Sequence, residues 1–177
     1  MGTWNSRGLR GSSLEELINM TNDKYQELHM ALVQKIPTPI KPVSIDKNSR
    51  HITLAYFEQK STVDYIGVAQ NIPICFDAKE CNTDTFPMQN IHKHQVEFMR
   101  EFENQGGISF MIIYYTNRNE MYYLPFYLVE KFYLRSAAGG RKSFRFEEID
   151  LQYQINTDKG VPVHYLETLA IDLQNRD

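Results

Sequence analysis

The stretch from Asp64 to Lys79 constrains this chain more than any other. Asp64–Val68 and Ile72–Lys79 each read as a strand, and the short Gln70-Asn71 turn between them leaves room only for an antiparallel return. The second strand is apolar (Ile72, Ile74, Cys75, Phe76, Ala78) except for Asp77 and Lys79. Alternate residues of a strand share a face, so Asp77 and Lys79 point one way and Phe76 and Ala78 the other. Asp64 starts the neighbouring strand and comes to lie beside Asp77. Two carboxylates and one ammonium are thereby predicted on one sheet face. Charges on so apolar a strand are partly buried, which is uncommon without a partner or a metal.

The rest of the chain can be placed around this pair. Ser12 or Ser13 caps a helix with Glu15 and Glu16 in its first turn, where the positive end of the dipole favours carboxylates. Apolar residues at three- and four-residue steps from Leu14 to Val33 predict that this helix runs to about Lys35, stopped by Pro37 and Pro39. Residues 41–57 alternate as a hairpin around the polar turn Lys47-Asn48-Ser49-Arg50. A helix over about 90–103 ends at Gly106-Gly107. Strands at Ile108–Tyr115 and Met121–Leu124 flank a turn at Asn117-Arg118-Asn119, and helices follow over about 128–138 and 165–173. This order predicts an α/β fold, a mixed sheet flanked by helices. Residues 1–11 read as a flexible basic arm carrying Arg7 and Arg10, and 12–177 as a single domain, which suits 177 residues.

Charge has to be read by segment. The net charge of −3 argues against a nucleic-acid partner when taken alone. Yet residues 147–177 hold seven acids against two cations, a net of −5, so the remainder carries +2. Within it, residues 131–146 contain Lys131, Arg135, Arg141, Lys142 and Arg145 and no acid. A phosphate backbone responds to such local patches over a Debye length of about 8 Å. The apolar runs are far short of the ~20 residues of a membrane helix, and the N-terminus lacks a secretory signal. Two cysteines, Cys75 and Cys81, are too few for a disulfide framework, so a reducing cytoplasm is the expected setting.

The Asp64–Asp77–Lys79 trio suits phosphodiester hydrolysis. Two carboxylates give hard oxygen ligands for Mg²⁺ and leave positions open for water and a phosphate oxygen. Lys79 can orient or deprotonate the attacking water, or stabilise the pentavalent transition state as a fixed cation. On the following helix Gln95 shares a stripe with Ile91, Phe98 and Phe102, either as a satisfied core amide or as an oxygen donor to the metal. His92 and His94, two apart on a helix, cannot face one zinc ion. Gly139-Gly140-Arg141-Lys142-Ser143 lacks the spacing of a phosphate-binding loop. The dense aromatics between Tyr114 and Tyr127 read mostly as core.

The pattern Asp-x₁₂-Asp-x-Lys resembles the PD-(D/E)xK nuclease superfamily. More narrowly, four stretches are similar to the RecU family of Holliday-junction resolvases: Ser6-Arg-Gly with Ser13-Leu-Glu-Glu-Leu-Ile-Asn; Gln59-Lys-Ser-Thr-Val-Asp-Tyr-Ile-Gly-Val; Phe76-Asp-Ala-Lys-Glu with Phe86-Pro and Asn90-Ile-His-Lys-His-Gln; and Gly139-Gly-Arg-Lys-Ser. The resemblance implies a restriction-endonuclease-like fold whose 41–57 hairpin is a protruding stalk that enters a four-way DNA junction. It implies metal ligands at Thr62, Asp64, Asp77 and Gln95, a catalytic Lys79, and an accessory acid at Glu15 or Glu16. DNA contacts would fall on Arg7, Arg10, Lys47, Arg50, Arg141 and Lys142. The expected protein is a Mg²⁺-dependent homodimeric endonuclease, with Mn²⁺ as substitute, which nicks four-way junctions symmetrically in recombination and repair. Recombinase or branch-migration proteins are its candidate protein partners. The rival readings are a related nuclease acting on linear DNA and a catalytically silent DNA-binding accessory protein. The chain departs from the family in three places. Asp77 stands where a glutamate is usual, the Cys81–Thr85 loop is about one residue short, and the acidic segment after residue 147 matches poorly.

Overall fold

The computed structural model describes residues 13–57, 62–157 and 160–176. In chain order its elements begin α1 (Leu14–Glu27), β1 (Ala31–Lys35), β2 (Ile40–Ile45), β3 (Ile52–Phe57), β4 (Tyr65–Ala69) and β5 (Ile72–Cys81). They continue with β6 (Thr85–Pro87), α2 (Lys93–Asn104), β7 (Ile108–Tyr115), β8 (Glu120–Pro125), α3 (Phe126–Ala137), β9 (Ser143–Arg145) and α4 (Tyr165–Gln174). Five strands form the main sheet in the order β1-β4-β5-β7-β8, antiparallel throughout except for the parallel β5–β7 pair. Among the described residues no helix is long and apolar enough to cross a membrane.

Aromatic rings hold one face of this sheet together. Tyr65, Phe76, Phe110 and Tyr123 stack in turn from β4 to β8, with centroids 4.8, 4.7 and 4.3 Å apart. All four rings are fully buried, and such pairs add about 0.5–1.5 kcal/mol each beyond their area. Tyr25 of α1 and Tyr165 of α4 meet edge-on over this ladder at 5.2 Å, Tyr165 reaching Phe76 as well. The opposite face carries Cys75, Asp77 and Met111 under α2, whose Met99 carbonyl accepts from Ser109 Oγ. The expected mixed sheet between helices is therefore present, and strand alternation assigns Asp77 to the α2 side.

The first helix is shorter than the periodicity predicts. It ends at Glu27, and residues 31–35 are a strand. His29 takes φ +57°, while Met30 N–H returns to Tyr25 O and His29 N–H to Gln26 O, a helix-ending double bond normally built on glycine. A histidine there carries no sequence signal. Leu32 and Val33 fit the helical stripe by spacing, but in β1 they alternate, Leu32 outward and Val33 half-buried.

The hairpin β2–β3 forms a two-stranded sheet of its own. Val43, Ile45, Leu54, Tyr56 and Phe57 are all exposed on it, so it projects from the body as expected of a stalk. Lys47 and Arg50 sit at its exposed tip, where Asp46 accepts bonds from Asn48 N–H and Ser49 Oγ.

The acidic C-terminal segment packs into the fold. Ile155 N–H donates to Met121 O and Gln154 bridges to Tyr122, so the segment lies along the outer edge of β8. Its acids have internal uses. Glu148 pairs with Arg135 at 2.7 Å, and Asp172, fully buried, accepts from Tyr123 Oη at 2.7 Å and pairs with Arg176 at 3.0 Å.

Candidate active site

Asp64 and Asp77 meet because of strand register. Tyr65 faces Phe76 across the β4–β5 pair, so the next position outward sets Asp64 opposite Asp77. There β4 stops while β5 continues to Cys81. Asp64 replaces the missing strand: its Oδ2 accepts from Ala78 N–H at 2.9 Å. Its own carbonyl accepts from Ile36 N–H at 2.8 Å, which pins it to the end of β1. Gly67 lets β1 close on β4, because a Cβ there would run into Leu32 O and stand 2.6 Å from Val33 Cα.

Lys79 completes the cluster. Its Nζ lies 2.7 Å from Asp77 Oδ2 and 3.9 Å from Asp64 Oδ2. Asp64 and Lys79 side chains are about a quarter exposed, whereas that of Asp77 is 1% exposed. Burial, reinforced by the Asp64 carboxylate alongside, pushes Asp77 up to about 7, although Lys79 pulls the other way. Asp77 Oδ2 accepts from Gln95 Nε2 at 2.9 Å, but Oδ1 is buried with no hydrogen-bond partner among the described residues. A buried carboxylate oxygen left bare is costly. An oxygen-seeking cation would satisfy it.

The other expected residues are placed as follows. Thr62 is half-buried two residues before Asp64. Gln95 is buried and touches Asp77 through its nitrogen, while its Oε1 accepts from His92 N–H at 3.0 Å at the start of α2. Glu16 closes a capping box with Ser13, and Glu15 pairs with Lys35, so both acids in the first turn of α1 have partners outside the cluster. Arg141 leans on Glu148 at 3.5 Å, and Lys142 is exposed. Arg7 and Arg10 lie outside the described residues. The rings of His92 and His94 stack, 5.5 Å apart and 11° from parallel.

Two features escape a reading of the sequence. Strands β6 and β9 are three residues each, too short for alternation to show, yet their pairing carries the 139–142 turn to the front of α2. Met88 N–H there donates to Lys142 O at 3.0 Å. Glu80, next after the lysine, caps α1 by accepting from Leu14 N–H at 2.6 Å, a long-range contact that no local pattern signals. Among the described residues no three His, Cys, Asp or Glu side chains converge on a metal position. The carboxylate pair would therefore need neutral oxygens to complete a shell, and Mg²⁺ commonly takes such a mixture of one or two carboxylates with water and phosphate.

Two aspartates and a lysine are thus gathered where an antiparallel strand of a mixed sheet ends, as the resemblance to the PD-(D/E)xK nucleases implies. Comparison with known families narrows this class. A profile described as RecU, Recombination protein U, matches residues 9–171, and the chain belongs to the RecU family. The match extends to residue 171 and so takes in most of the acidic segment. A Holliday junction resolvase RecU from Oenococcus oeni is 39% identical over 92% of this chain and 85% of its own length. One from Bacillus cytotoxicus is 44% identical over 81% and 74%, and one from Limosilactobacillus reuteri 41% over 83% and 76%. A likeness to the solved Holliday junction resolvase Hjc of Archaeoglobus fulgidus has a TM-score of 0.35 at 10% identity, covering 63% of this chain and 74% of that one. That likeness is too slight to speak to the fold.

Proposed function

We propose that this chain is a divalent-metal-dependent endonuclease that resolves four-way DNA junctions, with Mg²⁺ as the working ion. The observation that carries the reading is the Asp64–Asp77–Lys79 cluster with its unpartnered Asp77 Oδ1, in a member of the RecU family. Asp64 and Asp77, with Thr62 beside them, would hold the ion. Bound there, a divalent ion supplies a more acidic water and neutralises charge on the phosphorus-bound oxygens.

The protein residues do the rest. Asp64 is fixed by Ala78 N–H, so its free oxygen is aimed without an entropy cost at each turnover. Lys79, held by Asp77, presents a cation at the open end of the cluster, where it can orient the attacking water or stabilise the pentavalent phosphorus. The β2–β3 hairpin, with Lys47 and Arg50 at its tip, fits the open centre of a junction. Arg141 and Lys142, tied by the β6–β9 pair to Met88 ahead of α2, are suited to an arm. One protomer contains one cluster. Symmetric paired nicks therefore call for two copies related by a twofold axis, acting on cytoplasmic DNA.

The test compares cleavage of a synthetic four-way junction with cleavage of its linear arms in Mg²⁺. Paired symmetric nicks in the junction alone are expected. Equal cutting of the arms would favour a linear-DNA nuclease, and binding without cleavage in Mg²⁺ or Mn²⁺ would favour a silent accessory protein.

A further inference from the structure

Residues 139–145 carry Arg141, Lys142 and Arg145 on a turn whose main chain is tied down from outside. Arg135, in the last turn of α3, makes two of the ties. Its Nη2 donates to Ser143 O at 2.8 Å, and its own carbonyl accepts from Gly140 N–H at 2.9 Å. A Cβ on residue 140 would stand 2.7 Å from that carbonyl oxygen, so the close approach calls for glycine. Glu148 makes the third tie. Its Oε1 accepts from Arg145 N–H at 2.9 Å, while its Oε2 accepts from Arg135 Nη1 at 2.7 Å. Each member of this ion pair thus grips the main chain of the turn with one atom and its counter-ion with another. The two side chains are only 32% and 29% exposed. Arg141 leans on the same carboxylate at 3.5 Å, a long contact that leaves its side chain 45% exposed.

We propose that Arg135 and Glu148 are positioning residues for the DNA backbone: they clip the 139–145 turn into a fixed shape from which Arg141 and Lys142 meet phosphates. The inference rests on the proposed reading of the chain as a junction nuclease. Cations on a turn already ordered lose less freedom on binding than cations on a loose one. The clip also sets where the bound backbone lies. Lys142 O accepts from Met88 N–H ahead of α2, and β9 pairs with β6, which follows closely on the strand of Asp77 and Lys79. Coulomb's law alone predicts the reverse effect, because an acid beside phosphates repels them and its removal would tighten binding.

Fluorescence anisotropy of a labelled four-way junction, titrated with full-length protein in EDTA at a series of salt concentrations, tests this. Replacing Arg141 and Lys142 together by alanine should lower the slope of log Kd against log salt by about 2, roughly one per phosphate contact. Glu148→Ala, with both cations still present, is expected to give most of that fall and to weaken binding about tenfold at roughly 0.15 M salt. Adding Arg141→Ala and Lys142→Ala to Glu148→Ala should then cost little more, since the three act as one unit. Tighter binding, an unmoved slope or fully additive losses would each overturn the clip. If Glu148→Ala does not fold, Glu148→Gln carries the test. Its amide oxygen keeps Arg145 N–H, but its amide nitrogen sets a donor against Arg135, and the slope should fall in the same direction. Wild-type protein that cuts the junction while the variants keep its slope refutes the clip alone. Wild-type protein that neither binds nor cuts a junction refutes the nuclease reading and the clip with it.

Discussion

Replacing Asp77 by asparagine turns the buried carboxylate into a measurement of its own cost. In the metal-free fold this group ionises near pH 7 instead of its ordinary 3.8, chiefly because burial disfavours the charge. A group whose folded pKa is raised contributes stability that is complete below the unfolded pKa and is lost as pH climbs through the folded one. The loss therefore runs from about pH 3.8 to about pH 7. At about 1.4 kcal/mol per unit, the wild-type protein should lose roughly 3 kcal/mol between pH 5 and pH 8 on account of this residue. Asp77→Asn cannot ionise, so its stability relative to wild type should rise by that amount across the same interval. Urea unfolding in EDTA at a series of pH values reads the difference. Saturating Mg²⁺ should reverse the trend for wild type only, since the ion binds the ionised form. A variant-to-wild-type difference that stays flat from pH 5 to pH 8 would sink the reasoning.

Lys79→Ala should bind a four-way junction with near-normal affinity yet cleave it at least ~10²-fold more slowly, because it removes a fixed cation; gel-shift and cleavage assays on the same substrate separate the two, and full activity would remove the lysine from the mechanism. Gly67→Ala should destabilise by about 1–3 kcal/mol as β1 is pushed off β4, with amide exchange quickening first in residues 31–35. Asp172→Ala strips Tyr123 and Arg176 of a buried acceptor, and chemical denaturation should show a loss of about 3–5 kcal/mol.

How legible was this molecule in its residues? The site pair was, because a tight turn and a two-residue alternation are local facts, and register follows from them without knowing the rest. Ile108–Tyr115 was legible for the same reason, as a continuous apolar run buried on both faces. The end of α1 was not. His29 in the left-handed region imitates a glycine by conformation alone, and the apolar spacing of Leu28, Leu32 and Val33 fits a helix and a strand equally well. Gln95 was legible as either a core amide or an oxygen donor to the metal; in the structure it is buried and its amide nitrogen donates to Asp77, a partner that the apolar stripe of α2 does not signal. The C-terminal acids read as a detached charge because their partners Tyr123 and Arg135 lie far back in the chain.

That C-terminal segment also decides how the sheet can grow. Every open sheet has two borders, and an unpaired border is a template for another strand. Here the β8 border is hemmed by the residues around Gln154 and Ile155, in a stretch whose net charge of −5 would repel its like. The β1 border lies at the other end of the order, with Leu32 outward and no further strand beyond it among the described residues. Among the described residues the sheet is thus open at one border, that of β1, the strand that leads into the hairpin. Head-to-tail stacking of sheets into an open fibre needs two free borders, and the covered β8 border works against it.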